Sequence, residues 1–86
     1  MASVVQIANE VRGIFLDEWD PIGIRDVPQA RDEYDEYLLP IAKMLVGGTT
    51  IAEISSRLLQ IEREAFGLKG DADRASRVAI RLMSLT

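Results

Sequence analysis

The sequence predicts an all-α protein, a compact four-helix antiparallel bundle that forms a single domain over residues 1–86. Apolar residues recur every three or four positions in four separate segments, which is the period of an amphipathic helix. No segment alternates apolar and polar residues for long enough to indicate a strand. The connections are short except for one after the first helix, and short connections favour antiparallel neighbours.

The first helix is expected at residues 3–17. Ser3 and Gln6 fit a capping box at its start. Its apolar stripe comprises Val4, Ile7, Ala8, Val11, Ile14 and Phe15. Gly13 costs a helix interior about 1 kcal/mol relative to Ala, so we expect another element to pack closely there.

Residues 18–30 are expected to form a long structured loop. The order Asp20, Pro21, Gly23 favours a turn in which the Asp carboxylate binds the backbone ahead of it and Pro fixes φ. We assign structural roles to Pro21, Gly23 and Trp19, and expect Trp19 to fill the core with its N–H bound to a carbonyl. The other apolar loop residues, which are Ile22, Ile24 and Val27, are expected to fold back over the helices.

A second helix is expected at about residues 30–46. Pro40 removes one N–H and crowds the preceding turn, but the apolar stripe continues in phase on both sides. We therefore expect one helix kinked at Pro40 rather than two short helices.

The third and fourth helices have clear start and stop signals. Thr50 and Glu53 fit a capping box, and Gly67 is placed to end the third helix in a left-handed conformation. Asp71 is expected to cap the last helix, over residues 72–84. Its arginines are expected to form a solvated stripe or to pair with acids of the second helix: Arg74, Arg77 and Arg81.

The composition excludes several chemistries. The chain has no His and no Cys, which removes His-based catalysis, thiol chemistry, disulfides and the usual zinc sites. The acids Asp17, Glu18 and Asp20 invite comparison with a calcium-binding EF-hand loop, but Trp19 and Pro28 occupy positions that the loop needs for ligands. We expect no cofactor, no metal and no catalytic residue.

Acidic residues are concentrated between positions 17 and 36. This segment holds eight of the 14 acids of a chain whose net charge is −4. Such a balance argues against binding to nucleic acids or anionic membranes, which need basic groups. No apolar run reaches membrane-spanning length and no secretory signal begins the chain, so we expect a cytoplasmic protein.

The segment "RDEYDEY" gives the candidate partner-binding residues Asp32, Glu33, Tyr34, Asp35, Glu36 and Tyr37, with Asp17, Glu18 and Asp20 adjoining them. Two interpretations remain open. The acids can lie in the first turns of a helix, where its dipole favours negative charge. They can instead form an acidic surface that faces a basic partner, with a tyrosine as its anchor.

Three motifs, "WDPIG", "DEYDEY" and "IEREAFGL", resemble the YugE-like family of small bacterial proteins, a domain of unknown function. The resemblance covers nearly the whole chain and implies a compact helical domain, without an activity or functional residues to transfer. The chain is also similar in type to the immunity proteins of nuclease colicins, although its two tyrosines and Pro40 are spaced differently.

These observations lead to one leading functional hypothesis and two alternatives. The leading hypothesis is a non-enzymatic interaction module for an unidentified protein partner with a basic surface. The alternatives are an immunity or antitoxin-type inhibitor of a basic toxin such as a nuclease, and a small carboxylate-based metal-binding protein or enzyme. A homodimer is a further alternative, because so small a chain builds a modest core.

Overall fold

The computed structural model describes residues 3–30 and 32–86, and within them it contains helices and no strand. The helices are α1 (Val4–Ile14), α2 (Asp35–Val46), α3 (Ile51–Gln60) and α4 (Ala72–Met83). α1 continues into a π-helical turn at Phe15–Trp19, and α3 continues into another at Ile61–Ala65. A short 3₁₀ turn, Pro28–Ala30, lies in the long connection. The predicted all-α bundle is confirmed.

Local sequence explains where three of the helices begin. The Ser3 side chain accepts the backbone N–H of Gln6, and the Gln6 side chain accepts that of Ser3. Thr50 and Glu53 make the same reciprocal pair at α3. Asp71 caps α4 with its carboxylate. The three predicted caps are confirmed.

Two predicted boundaries are wrong. The first helical segment reaches Trp19 rather than residue 17, because the π-helical turn adds a bond of 2.7 Å from the N–H of Asp20 to the carbonyl of Phe15. The second helix begins at Asp35 rather than near residue 30. It runs through Pro40 as one helix, as the in-phase stripe predicted. Gly67 has a φ of 66° directly after the third helical segment, which confirms its terminating role.

The helices pack as two antiparallel pairs. Arg12, late in α1, contacts Asp35, the first residue of α2. Glu62, just after α3, contacts Arg74 in the first turns of α4. α1 also lies against α4, so the two pairs share one hydrophobic core. The radius of gyration of 12.0 Å matches the value of about 12 Å expected for a compact chain of this length.

The core contains most of the apolar residues that the helical periodicity placed inward. Ile24 of the long connection is buried, as expected, whereas Ile22 and Val27 are exposed. Ile51, the first residue of α3, is also exposed. Among the described residues, the helices lack the combination of length and hydropathy that a bilayer-spanning segment requires.

Candidate interaction surface and the buried network beneath it

Tyr34 is a buried residue and not a surface anchor. Its side chain is 1% exposed and lies against Phe15 and Trp19. Its hydroxyl donates to Oδ1 of Asp20 at 2.9 Å and accepts the backbone N–H of Ile22 at 3.2 Å. The prediction that Tyr34 contacts a partner is therefore wrong, because packing in the aromatic core removes it from the surface.

Asp20 serves the turn and not a partner. Besides Tyr34, its carboxylate accepts the backbone N–H groups of Ile24 at 2.8 Å and Arg25 at 3.2 Å. Its backbone carbonyl accepts the N–H of Gly23, which has a positive φ of 65°. The predicted structural turn is confirmed, and the prediction that Asp20 belongs to the partner-binding group is wrong since its oxygens are bound within the chain.

The environment of Tyr34 also changes its acidity. Burial raises the pKa of its phenol well above the ordinary value of 10.0, because the phenolate would lose its hydration. The Ile22 N–H acts in the opposite direction, and the Asp20 carboxylate raises the pKa further. Tyr34 thus stays protonated and keeps donating to Asp20 under ordinary conditions.

Trp19 fills the centre of the core, as predicted, but its hydrogen-bond partner differs from the expected one. Its ring lies 4.5 Å from that of Phe15 and 6.4 Å from that of Phe66, measured between centroids. Its indole N–H donates to Oε2 of Glu62 at 3.1 Å, so the acceptor is a carboxylate and not a carbonyl.

Glu62 is a buried charged residue that our reading of the sequence missed. Its side chain is 0% exposed, and Oε1 accepts from Nη2 of Arg74 at 2.6 Å and from the backbone N–H of Asp71 at 3.1 Å. With the Trp19 bond, three donors surround the carboxylate. Arg74 is correspondingly only 24% exposed and does not belong to the predicted solvated stripe.

The spacing of Glu62 held a signal that could have revealed this burial. Ile54, Leu58 and Glu62 follow one another at intervals of four, and the first two are fully buried. A carboxylate in phase with such a stripe must either leave the face or find partners inside. Glu62 finds these partners in Trp19 and Arg74. Trp19 and Glu62 each lie in a π-helical turn, a feature that is frequent at functional sites.

Three of the predicted surface acids are exposed but pair with the protein's own arginines. The pairs are Asp17 with Arg25 (3.8 Å), Glu18 with Arg81 (3.1 Å) and Asp35 with Arg12 (3.2 Å). Exposed pairs of this kind contribute about 0–1 kcal/mol each. They leave the carboxylates accessible to a competing cation. Arg81 pairs with the π-helical turn that follows α1 and not with the second helix.

The remaining predicted acids, Asp32, Glu33 and Glu36, are exposed. They take part in no ion pair between described residues; Arg31 lies outside the described residues. Tyr37 beside them is half-buried, with its ring edge-on to Phe66 at 5.9 Å. Burial, and then the neighbouring Glu36 carboxylate, raise the pKa of Tyr37. We call Asp32, Glu33, Glu36 and Tyr37 the acidic surface.

Comparison with protein-family models, with curated proteins and with solved structures finds no match for this chain. The resemblance to the YugE-like family therefore stays a prediction. In the part of the chain that the structure describes, no group of three or more carboxylates is arranged to hold a metal ion.

Proposed function

We propose that this protein is a non-catalytic interaction module whose acidic surface binds a protein partner with a basic surface. The observation that supports the proposal is the state of Asp32, Glu33 and Glu36. They are exposed and unpaired among the described residues, whereas nearby acids such as Asp17 and Asp35 have arginine partners. Exposed carboxylates without a partner in the chain are the groups that a cationic partner surface would pair with.

The alternative explanation, that these acids stabilise the start of α2, accounts for only part of the segment. The residue before α2, Tyr34, makes no side-chain capping bond. Asp35 and Glu36 lie in the first turn, where the helix dipole favours a carboxylate by about 0.3–1 kcal/mol. Asp32 and Glu33 precede the helix, and their carboxylates make no ion pair with a described residue. Their charge is therefore available to a partner.

The acidic surface combines two features of protein recognition sites. Its carboxylates attract a cationic partner over a distance of about 8 Å at physiological salt and raise the association rate. Tyr37 adds a partly exposed aromatic ring held in place by Phe66, and tyrosine is enriched where binding energy is concentrated. The proposal includes a cytoplasmic location and membership of the bacterial YugE-like family, both supported by the sequence patterns alone.

Charge-neutralising variants test the proposal. Partners captured at low salt are compared for the wild type, for Glu33→Gln with Glu36→Gln, and for Glu64→Gln with Asp73→Asn. Both double variants change the net charge equally, and all four residues are exposed. We expect the first variant alone to lose the partner, and Tyr37→Ala to weaken it. Equal retention by the wild type and the first variant would contradict the proposal.

A further inference from the structure

A second feature of the surface is an apolar strip on the outer side of the α1–α2 pair, formed by Val5, Leu39 and Val46. These side chains are 59%, 45% and 57% exposed, and they are three of the four most exposed large apolar side chains that the structure describes. Exposed apolar residues scattered singly are normal, whereas several on one face mark an interaction surface.

Helix geometry places the three side chains on one face. The ion pair between Arg12 and Asp35 fixes the register of the two antiparallel helices. Val5 precedes Arg12 by seven residues, which is close to two turns, so both lie on the same side of α1. Leu39 and Val46 follow Asp35 by four and eleven residues and share its side of α2. At equal distances from the ion pair, Val5 is level with the stretch between Leu39 and Val46.

The charged residues around the apolar strip balance one another. Arg12 and Asp35 pair at one end of it, and Glu36 and Lys43 lie along the neighbouring flank of α2. Two acids therefore face two bases here, on a chain whose net charge is −4. A second copy of this acidic protein would meet repulsion at the acidic surface, but it would meet none at this face.

Glu36 and Lys43 give the face a self-complementary charge pattern. Both are exposed, and neither makes an ion pair with a described residue. They are seven residues apart and so lie on one flank of α2. When two copies of α2 pack antiparallel about a two-fold axis, this flank meets its own counterpart. Glu36 of each copy then faces Lys43 of the other, and the axis passes close to Leu39.

We propose that the outer face of the α1–α2 pair is a homodimer interface, in which the α2 helices of two copies pack antiparallel with Leu39 at the centre. The proposal is independent of the partner of the acidic surface. It adds apolar burial to a chain of 86 residues, a size at which a single core is modest. The contact covers roughly 16 Å of α2, which is small for a specific interface, so the dimer is weak.

Sedimentation between about 10 µM and 1 mM protein measures this dimer directly. Val5→Glu should abolish it, because the new carboxylate would be buried among apolar side chains. The same carboxylate suits the monomer, since it lies in the first turn of α1, where the helix dipole favours negative charge. Ile80→Glu is the matched control: Ile80 is 57% exposed on α4, so its variant should dimerise like the wild type.

Charge exchange tests whether the occupant is a second copy. Lys43→Glu and Glu36→Lys each bring like charges together, and each should weaken the dimer by about tenfold or more. An equimolar mixture of the two variants should restore it. The native Glu36 of one variant then faces the native Lys43 of the other, and the two introduced charges face each other. Circular dichroism checks that each variant keeps its helices.

Other outcomes overturn the proposal. A wild type that stays monomeric at about 1 mM has no such interface. Equal dimerisation of the wild type and Val5→Glu would place the contact elsewhere, and a monomeric mixture would refute the antiparallel arrangement. Loss of the dimer in Ile80→Glu as well would show that net charge controls association. Val5→Glu leaves the acidic surface intact, so capture of the basic partner by this variant tests the proposed function separately.

Discussion

Replacement of Glu62 by alanine tests the buried network that joins the two helix pairs. The substitution removes a fully buried carboxylate that accepts from Trp19, Arg74 and the backbone of Asp71. Three donors lose their acceptor at once, and a guanidinium that is only 24% exposed loses its counter-charge. We expect a large loss of stability with little change in helix content, since the helices keep their caps.

The magnitude follows from the burial of the two partners. Removal of one member of a buried ion pair costs about 3–5 kcal/mol, because the remaining charge stays poorly hydrated. Arg74 is partly exposed and can recover some hydration, so we expect about 3 kcal/mol, near the low end of that range. This loss is a large share of the total of about 5–15 kcal/mol that holds a small domain together.

Urea unfolding measures this loss directly. Trp19 is the only tryptophan and is 1% exposed in the folded protein, so its fluorescence reports unfolding of the core. With a urea m-value of about 1–2 kcal/mol/M, the expected loss moves the midpoint down by about 1.5–3 M. Far-UV circular dichroism gives an independent signal, which matters because the substitution also changes the surroundings of the indole ring.

Glu64→Ala is the matched control. Glu64 lies in the same π-helical turn but is exposed, so its substitution should change stability by no more than about 0.5 kcal/mol. Replacement of Glu62 and Arg74 together by leucine should recover much of the loss, because an apolar pair leaves no buried charge. Unfolding of Glu62→Ala and Glu64→Ala at the same urea concentration would show that the buried network adds no stability.

Three further predictions concern single residues. Tyr34→Phe should cost about 1–2 kcal/mol, because Asp20 loses its hydroxyl donor; an unchanged urea midpoint would contradict the bond. The folded-state phenol pKa values of Tyr34 and Tyr37 are raised, so their contribution to stability is full below the unfolded value of 10.0 and is lost as the pH rises above it. The thermal midpoint should therefore fall as the pH rises above about 10, and it should fall less steeply for Tyr34→Phe than for the wild type. The same dependence on pH in both proteins would show that Tyr34 does not contribute to this loss. Gly67→Ala should lower the free energy of unfolding by about 1–2 kcal/mol, because the φ of 66° is left-handed. Gly13→Ala should raise it, because the added Cβ meets open space inside a helix. Calorimetry of both variants compares the two effects.

Features governed by neighbours in the chain were predictable from the sequence. The caps at Ser3, Thr50 and Asp71, the turn after Asp20 and the left-handed Gly67 all follow from side chains that bind or release the adjacent backbone. The helical period likewise placed most of the core correctly, because a helix fixes which residues share a face.

The candidate site was predictable only in part. The exposed carboxylates Asp32, Glu33 and Glu36 were identified from composition, and Tyr37 remains at the surface beside them. Tyr34 has the same local context as Tyr37 but is buried, since it precedes α2 and turns towards the rings of Phe15 and Trp19. No local pattern distinguishes the two tyrosines.

Local sequence signals were enough to specify the fold class, the starts of three helices and the location of the acidic segment. Which acids have partners and which side chains are buried depends instead on how the helices pack. Trp19 and Glu62 are separated by 43 positions, and Glu18 and Arg81 by 63. Contacts over such distances depend on how the helix pairs pack, because capping and periodicity act only within a few residues.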